Sequence, residues 1–441
     1  MGIYSTVLAS ILGIVIILNE FLRKKNVKPF DLLSGVNLLF FLSFVITPFS
    51  IYFLKIDFPA WTYLVDVNNT SPFIALLYVI IGYMALLVGV KFTKRCRFVK
   101  SLPNEFYIDS SSMEKFAHII GILGVIFLAI FMYSVGGLNE FLSTNTLYRS
   151  GEIEVSPVAF VRNLALFIPI SCQIFYGLSK NQPQAFFNRY KLFFIFYFVA
   201  SLLLYFNRAT RMGLLLFLIS FFIINIIYYK KSLVRYLPVM GGFFVFFILF
   251  GKRIFNYFIV ENISFQTEET IINKILGEFS FSFYSITNAV ENSFFNGIPR
   301  LFFDFILGIL NLLPSAFLPF NVPQTATQLN TESFLNMSGI PVDIISLGFY
   351  SFGVAGIILI TFLFGALISI LEKILVDKNN LMVVVFYVQF IFFVSLRVTY
   401  AGPTNVLKSN VCLFVAFLFF ILFFRKKPIA NKSNYQLKVG N

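Results

Sequence analysis

Apolar runs recur along the chain at about 3–18, 32–54, 72–90, 116–134, 158–178, 192–206, 212–229, 237–251, 344–371, 382–397 and 407–424, separated by short stretches rich in Lys, Arg, Pro and Asn. About 20 consecutive apolar residues cross the hydrocarbon core of a bilayer. Lipid offers backbone N–H and C=O groups no partner, so such runs must be helical. The pattern predicts an all-α, polytopic membrane helical bundle of about eleven transmembrane helices, with no separate soluble domain. The first run, Met1 to Leu18, lacks a basic leader and a small-residue cleavage site, and reads as a retained span rather than a signal peptide.

Three regions follow: residues 1–251 with transmembrane helices 1–8, residues 252–343 as one large loop, and residues 344–441 with helices 9–11 and a basic tail. The loop is too rich in hydrophobic residues for a flexible linker. Ile272, Ile275, Leu276, Phe279, Phe283, Ile286 and Val290 recur at helical spacing and predict an amphipathic helix lying on the membrane. Leu301 to Phe320 is apolar enough to cross, but Pro314 and Pro319 interrupt it and Asp304 lies within it. It reads as a re-entrant or interfacial helix.

Composition agrees with the pattern. Hydrophobic residues make up 58% and charged residues 12%, against about 25% charge in soluble proteins. The formal net charge of +14 raises the question of nucleic acid. The basic residues punctuate the apolar runs instead of forming one domain, so topology signals and anionic lipid account for them, and no nucleic-acid partner is expected. Cys96, Cys172 and Cys412 form neither a disulfide framework nor a zinc spacing.

Lys and Arg also set the orientation. One set of connections, with the C-terminal tail, holds 23 of the 34 basic residues and is assigned to the cytoplasm. The remaining 11 are Lys55, Arg149, Arg162, Arg208, Arg211, Lys252, Arg253, Lys274, Arg300, Arg397 and Lys408. Seven of these are Arg, whose planar fork binds phosphate oxygens in pairs. Each alone could be an anchor snorkelling to lipid phosphate; as a set they suit a phosphorylated lipid headgroup. Arg208 and Arg211 are the strongest case. They sit in a tight connection after a span of only about 15 apolar residues, roughly 22 Å at 1.5 Å each, so their charges lie at a costly depth. Arg253 follows a similarly short run. Arg300 and Asp304 share a helix face and read either as a salt bridge or as a phosphate ligand beside a carboxylate. Asp343 opens span nine and Arg397 closes span ten, as a helix-terminal charge and an anchor, or as site residues.

What is missing narrows the chemistry. The one His is His118, at the cytoplasmic end of span four, so no outer His base or zinc site is expected. There is no Walker loop and no Gly-x-Ser-x-Gly elbow.

Three features resemble the O-antigen polymerase (Wzy-type) family of oligosaccharide repeat-unit polymerases. They are Asn207-Arg208-Ala209-Thr210-Arg211-Met212-Gly213-Leu214 leading into a span, the single large late loop, and its exit through Gly339-Ile340-Pro341-Val342-Asp343 to Gly348-Phe349-Tyr350-Ser351-Phe352-Gly353-Val354-Ala355-Gly356. The resemblance implies a metal-independent, all-helical glycosyltransferase of the GT-C type in the bacterial inner membrane, with its active site facing the periplasm. It implies transfer of a growing glycan from undecaprenyl pyrophosphate to the non-reducing end of a new lipid-linked repeat unit. The expected partners are that lipid-linked oligosaccharide, membrane lipid and a chain-length regulator, with no cofactor. Pyrophosphate departure would fall to Arg208, Arg211, Arg253, Arg300 and Arg397. Deprotonation of the acceptor hydroxyl would fall to Asp343, Asp304 or Glu278. None of these five arginines has Gly eleven positions later, unlike the Arg-x10-Gly motifs of some members, and the outer-loop His of the related ligases is missing. The competing class is a lipid-linked glycan flippase or other polysaccharide transporter, which would show two similar halves and charges near the midplane. An acyltransferase would need an outer-side His.

Reporter fusions test the topology. Fusions at Lys100, Lys231 and the C-terminus are expected to report cytoplasm, and fusions near Thr144 and Gln328 the outside. A cytoplasmic signal at Gln328 would mean that 301–320 crosses and the loop assignment is wrong.

Overall fold

The computed structural model describes residues 2–23, 30–55, 70–102, 106, 108–143, 160–181, 188–208, 210–256, 271–296, 299–310, 323–332, 334 and 340–424. Nine helices within these are long and apolar enough to cross a membrane. They include α1 (Gly2–Leu22), α2 (Leu32–Tyr52), α3 (Ser71–Arg95), α4 (Ser110–Ser134), α5 (Val161–Asn181) and α6 (Arg189–Asn207). The shorter apolar helix α7 (Arg211–Ile227) follows, then α8 (Leu233–Asn256), whose Leu233–Gly251 portion is the next candidate span. Three helices occupy the region between the two groups of spans: α9 (Ile271–Asn296), α10 (Phe303–Leu310) and α11 (Ala326–Glu332). The candidate spans α12 (Ile344–Ile374) and α13 (Leu381–Gly402) and the shorter apolar α14 (Ser409–Phe424) complete the bundle. The nine candidates and the two shorter helices coincide with the eleven apolar runs. The described residues contain no strand.

The closest helix pair is α3 against α12, and glycine makes it close. A methyl group added to Gly89 would meet the backbone of Phe362, and one added to Gly365 would meet the carbonyl of Leu86. In lipid, apolar burial does not drive helices together; small residues that let backbones touch do. The apolar run read as one span over 344–371 is in fact broken. Phe352 and Gly353 leave helical geometry, with Gly353 at φ +61, where Gly carries no Cβ penalty. The chain turns sharply there, and Gly348 rests on Gly356 and Ile357. The glycines of the 348–356 motif thus build a corner. The carbonyls of Tyr350 and Ser351, left over at the break, accept from the N–H groups of Arg300 and Leu301, each at 3.3 Å.

A buried ionic network lies near the turn between α12 and α13. Arg23 reaches both oxygens of Asp31 and, at 2.9 Å, Glu20. Asn37 donates to Glu20 at 2.8 Å, and Tyr83 donates to Asn37 at 2.9 Å. Glu372 of α12, 5% exposed, accepts from the Leu32 N–H at 2.7 Å and from the Tyr387 hydroxyl at 2.8 Å. Charged groups at this depth are costly unless paired, and this network joins α1, α2, α3, α12 and α13 through such pairing.

The helix expected over 272–290 forms as α9, but it packs among the spans instead of lying on a lipid surface. Ser282 to Val290 are all buried. Its small polar residues, which made it look amphipathic, bond to protein. Ser282 donates to the Thr399 carbonyl at 3.0 Å, Ser285 to the Pro341 carbonyl at 2.8 Å, and Asn288 to Asn330 Oδ1 at 2.8 Å. Of the apolar segment 301–320, α10 covers the first part; 311–320, with Pro314 and Pro319, lies outside the described residues.

The glycine contacts generate a paired test. Gly89→Ala and Gly365→Ala put a methyl group into a facing backbone, and overpacking of that kind costs about 1–3 kcal/mol. Both should lower the thermal midpoint of the detergent-purified protein. Gly241→Ala in α8, where nothing lies within 4 Å, should leave the midpoint unchanged or raise it.

Candidate functional site

The α6–α7 turn is anchored by Asn207, which is fully buried and donates from Nδ2 to the Phe141 carbonyl at 2.6 Å. Helix α6 closes with the Arg208 N–H on the Leu204 carbonyl at 3.1 Å. Gly213 then lets the new helix start against Thr210 and Tyr205; a Cβ there would come within 2.8 Å of the Thr210 hydroxyl. The turn is short, with α6 ending at Asn207 and α7 beginning at Arg211, and it fixes where Arg208 and Arg211 project.

The two arginines meet different surroundings. Arg208 is half-buried and donates from Nη1 to Asn163 Oδ1 at 3.2 Å. It pairs with no carboxylate among the described residues. Arg162, one residue before Asn163, lies over the Phe131 ring at 5.5 Å. Arg397 emerges directly from a π-helical stretch, Ile391–Leu396; the extra residue of such a bulge re-aims the side chains that follow it. Burial first, then the charges of Arg162 and Arg397, push the Arg208 guanidinium down from its ordinary value to about 9. It remains protonated at neutral pH. The half-buried guanidinium groups of Arg162 on α5 and Arg397 on α13 therefore both act on that of Arg208 in the α6–α7 turn. An anion arriving among them would meet more than one cation at once.

An apolar cavity of about 350 Å³ adjoins this cluster, walled by α2, α7, α8, α9 and α13. Arg397 is the one charged side chain among the described residues of its wall, with Tyr400 one turn further on. Leu38, also in the wall, is 45% exposed. The cavity thus opens sideways, towards what would be the hydrocarbon phase if these helices span a bilayer.

The other candidates are differently employed. Arg211 is bonded to Glu278 of α9 at 2.6 Å, and its stem lies against Gly251. Arg300 binds Asp304 through Nε at 2.7 Å and the Gln324 carbonyl through Nη2 at 2.6 Å. Asp304 also accepts the Ala326 N–H at 2.7 Å, so this pair staples the first turn of α11 to α10. Asp343 caps α12. It is fully buried and accepts from the N–H groups of Ile345 at 2.7 Å and Ser346 at 3.2 Å. Gly402, at φ +75, brings the backbone of α13 against the Val342 carbonyl beside it. The Arg253 side chain lies outside the described ones, as do Arg149, Lys252, Lys274 and Lys408.

The structure thus brings Arg208 and Arg397 together, while Arg211 and Arg300 each bind a carboxylate. Arg162 appeared in the sequence only as one cation among eleven, and Asn163 and Tyr400 were not singled out. Their one signal, an Arg-Asn pair opening a span, is too short to weigh without its neighbours. Among the described residues no group of three His, Cys, Asp or Glu could hold a metal ion. Compared with known proteins, the chain matches no family model, no curated protein and no solved structure.

Burial pushes the Asp343 carboxyl up to about 6, against the pull of the hydrogen bonds from Ser346 and Ile345. Between its ordinary value of 3.8 and about 6, the folded state holds more proton than the unfolded state. Stability from this group therefore falls as pH rises through that window and is level above it. Asp343→Asn keeps a capping oxygen and should remove that slope from the pH profile of the thermal midpoint. An unchanged profile would show that Asp343 is not the titrating group.

Proposed function

We propose that this chain is a polymerase of lipid-linked oligosaccharide repeat units, acting on O-antigen or a similar surface polysaccharide at the outer face of a bacterial inner membrane. The supporting observation is the joint placement of Arg162, Arg208 and Arg397 beside an apolar cavity that opens towards lipid. A ligand with a long apolar chain and a strongly anionic head meets both requirements at once. In this reading all eleven apolar helices cross, the cluster faces the periplasm, and the bundle belongs with the metal-independent, all-helical glycosyltransferases.

In this reading the reaction is a single glycan transfer. The donor is the growing glycan on undecaprenyl pyrophosphate, with its chain in the cavity and its pyrophosphate among the guanidinium groups. The bond from the anomeric carbon to the pyrophosphate oxygen breaks, and that oxygen's developing charge is held by fixed Arg donors. A hydroxyl at the non-reducing end of the incoming repeat unit supplies the new bond, and its proton must be removed. Of the three carboxylates, Asp304 and Asp343 accept backbone N–H groups as structural ties. Glu278 accepts from Arg211 alone among the described residues, and its neighbour Phe279 lines the cavity. Ser282, one turn along, bonds to Thr399 two residues from Arg397. Glu278 is therefore the base in this scheme, with Arg211 orienting it.

Arg208→Lys and Arg397→Lys decide the matter, because Lys keeps charge but loses the paired fork. Each should reduce polymer ladders by about 10²–10³-fold, the usual effect of removing one such donor, at wild-type protein levels and in excess EDTA. Normal ladders in both variants would remove the arginines from the reaction. Activity lost in EDTA and restored by Mg²⁺ would replace them with a metal. Deleting the gene should leave single repeats on the surface lipid anchor; lipid-linked repeats trapped inside would favour the flippase.

A further inference from the structure

Helix α13 separates two apolar cavities. The first, described above, meets α13 at Phe392, Leu396, Arg397 and Tyr400. The second, of about 360 Å³, meets it at Val394 and Val398 and is otherwise walled by Phe302, α10, α12, Val406, Leu407 and α14. Residues two apart on a helix point to nearly opposite sides, so 392 and 396 face one cavity while 394 and 398 face the other. Their separation is roughly the 10–12 Å thickness of one helix. The second cavity is also open sideways: Leu359 is 47% exposed and Leu363 is 55% exposed. The two differ in charge. Arg397 enters the wall of the first, whereas every described residue lining the second is apolar.

That asymmetry matches an asymmetry in the reaction. Transfer between two lipid-borne glycans has one pyrophosphate that leaves and one that does not. The leaving group needs cations where its charge develops. The acceptor's pyrophosphate stays bonded to its sugar and needs only to be held within a repeat unit's reach. We propose, resting on the polymerase reading, that the second cavity holds the isoprenoid chain of the acceptor, the incoming lipid-linked repeat unit, while the first holds that of the donor. Both substrates then lie in the membrane at once, on either side of α13, with the reacting sugars meeting above its Arg397–Gly402 end. A chain in a sideways-open cleft exchanges with bulk lipid without leaving the hydrocarbon phase. Retention of the polymer on the membrane follows, because the product's lipid is the acceptor's.

Native mass spectrometry of the detergent-solubilised protein with undecaprenyl pyrophosphate as the probe tests this without requiring turnover. Wild type should carry two lipids. Leu363→Trp, at a lipid-facing position that tolerates bulk, should carry one, and Leu38→Trp in the first cavity should also carry one. With defined substrates, Leu363→Trp should raise the KM for acceptor at least about tenfold, as expected when a chain loses its pocket, at unchanged KM for donor. Leu359→Phe serves if the Trp variant does not fold. A single lipid on wild type, or two on a folded Leu363→Trp, overturns the proposal. Two lipids lost one at a time by these substitutions, with no polymer formed under any condition, would uphold the two cavities and sink the polymerase reading instead.

Discussion

The rest of the structure depends on how closely α3 and α12 approach. Between membrane helices the usual solvent force is missing, and a leucine is as content against lipid as against protein. Contact must come from shape. Gly82, Gly89 and Gly365 remove the side chains that would hold the two backbones apart. Once they touch, the position of α12 fixes the corner at Phe352–Gly353, and the corner fixes Asp343 at its head. Asp343 in turn lies under Gly402, at the end of α13, and so the segment that carries Arg397 is placed by packing several helices away.

The cluster of guanidinium groups illustrates a division of labour among like residues. Arg211 and Arg300 each hold a carboxylate, and both pairs join elements: α7 to α9, and α10 to α11. Arg208 and Arg397 are placed where their charges oppose one another and that of Arg162. Packing at Asn207, Gly213 and the π stretch of α13 fixes the groups there.

Much of this was legible in the sequence and some was not, for identifiable reasons. The positions of the eleven apolar helices were readable because hydrocarbon thickness and backbone hydrogen bonding leave a run of about 20 apolar residues few alternatives. The turn at Asn207–Arg211 was readable because a short apolar run precedes it and another apolar run follows within a few residues. The burial of α9 was not. Ser282, Ser285 and Asn288 look the same whether water or a buried carbonyl receives their hydrogen bonds, and one chain's periodicity cannot distinguish the two. The break at Phe352–Gly353 was hidden by uninterrupted hydrophobicity, since a glycine corner leaves no trace in a hydropathy profile. The meeting of Arg162, Arg208 and Arg397 joins residues from distant parts of the chain, and only tertiary packing could reveal it.

The ionic network around Glu372 bears on how the chain comes into being. Leu32 and Glu372 are 340 residues apart, so the first helices emerge from the ribosome long before the groups that complete them. Throughout that interval Asp31 and Glu20 have Arg23 but not the network's second half, and Glu372 on its arrival finds the Leu32 N–H in place, with Tyr387 still to follow. Synthesis therefore ends by closing a ring that it began by leaving open. A chain interrupted anywhere before α12 would leave the buried Leu32 N–H without the carboxylate that receives it, and its first helices would lack the tie that joins them to the last ones.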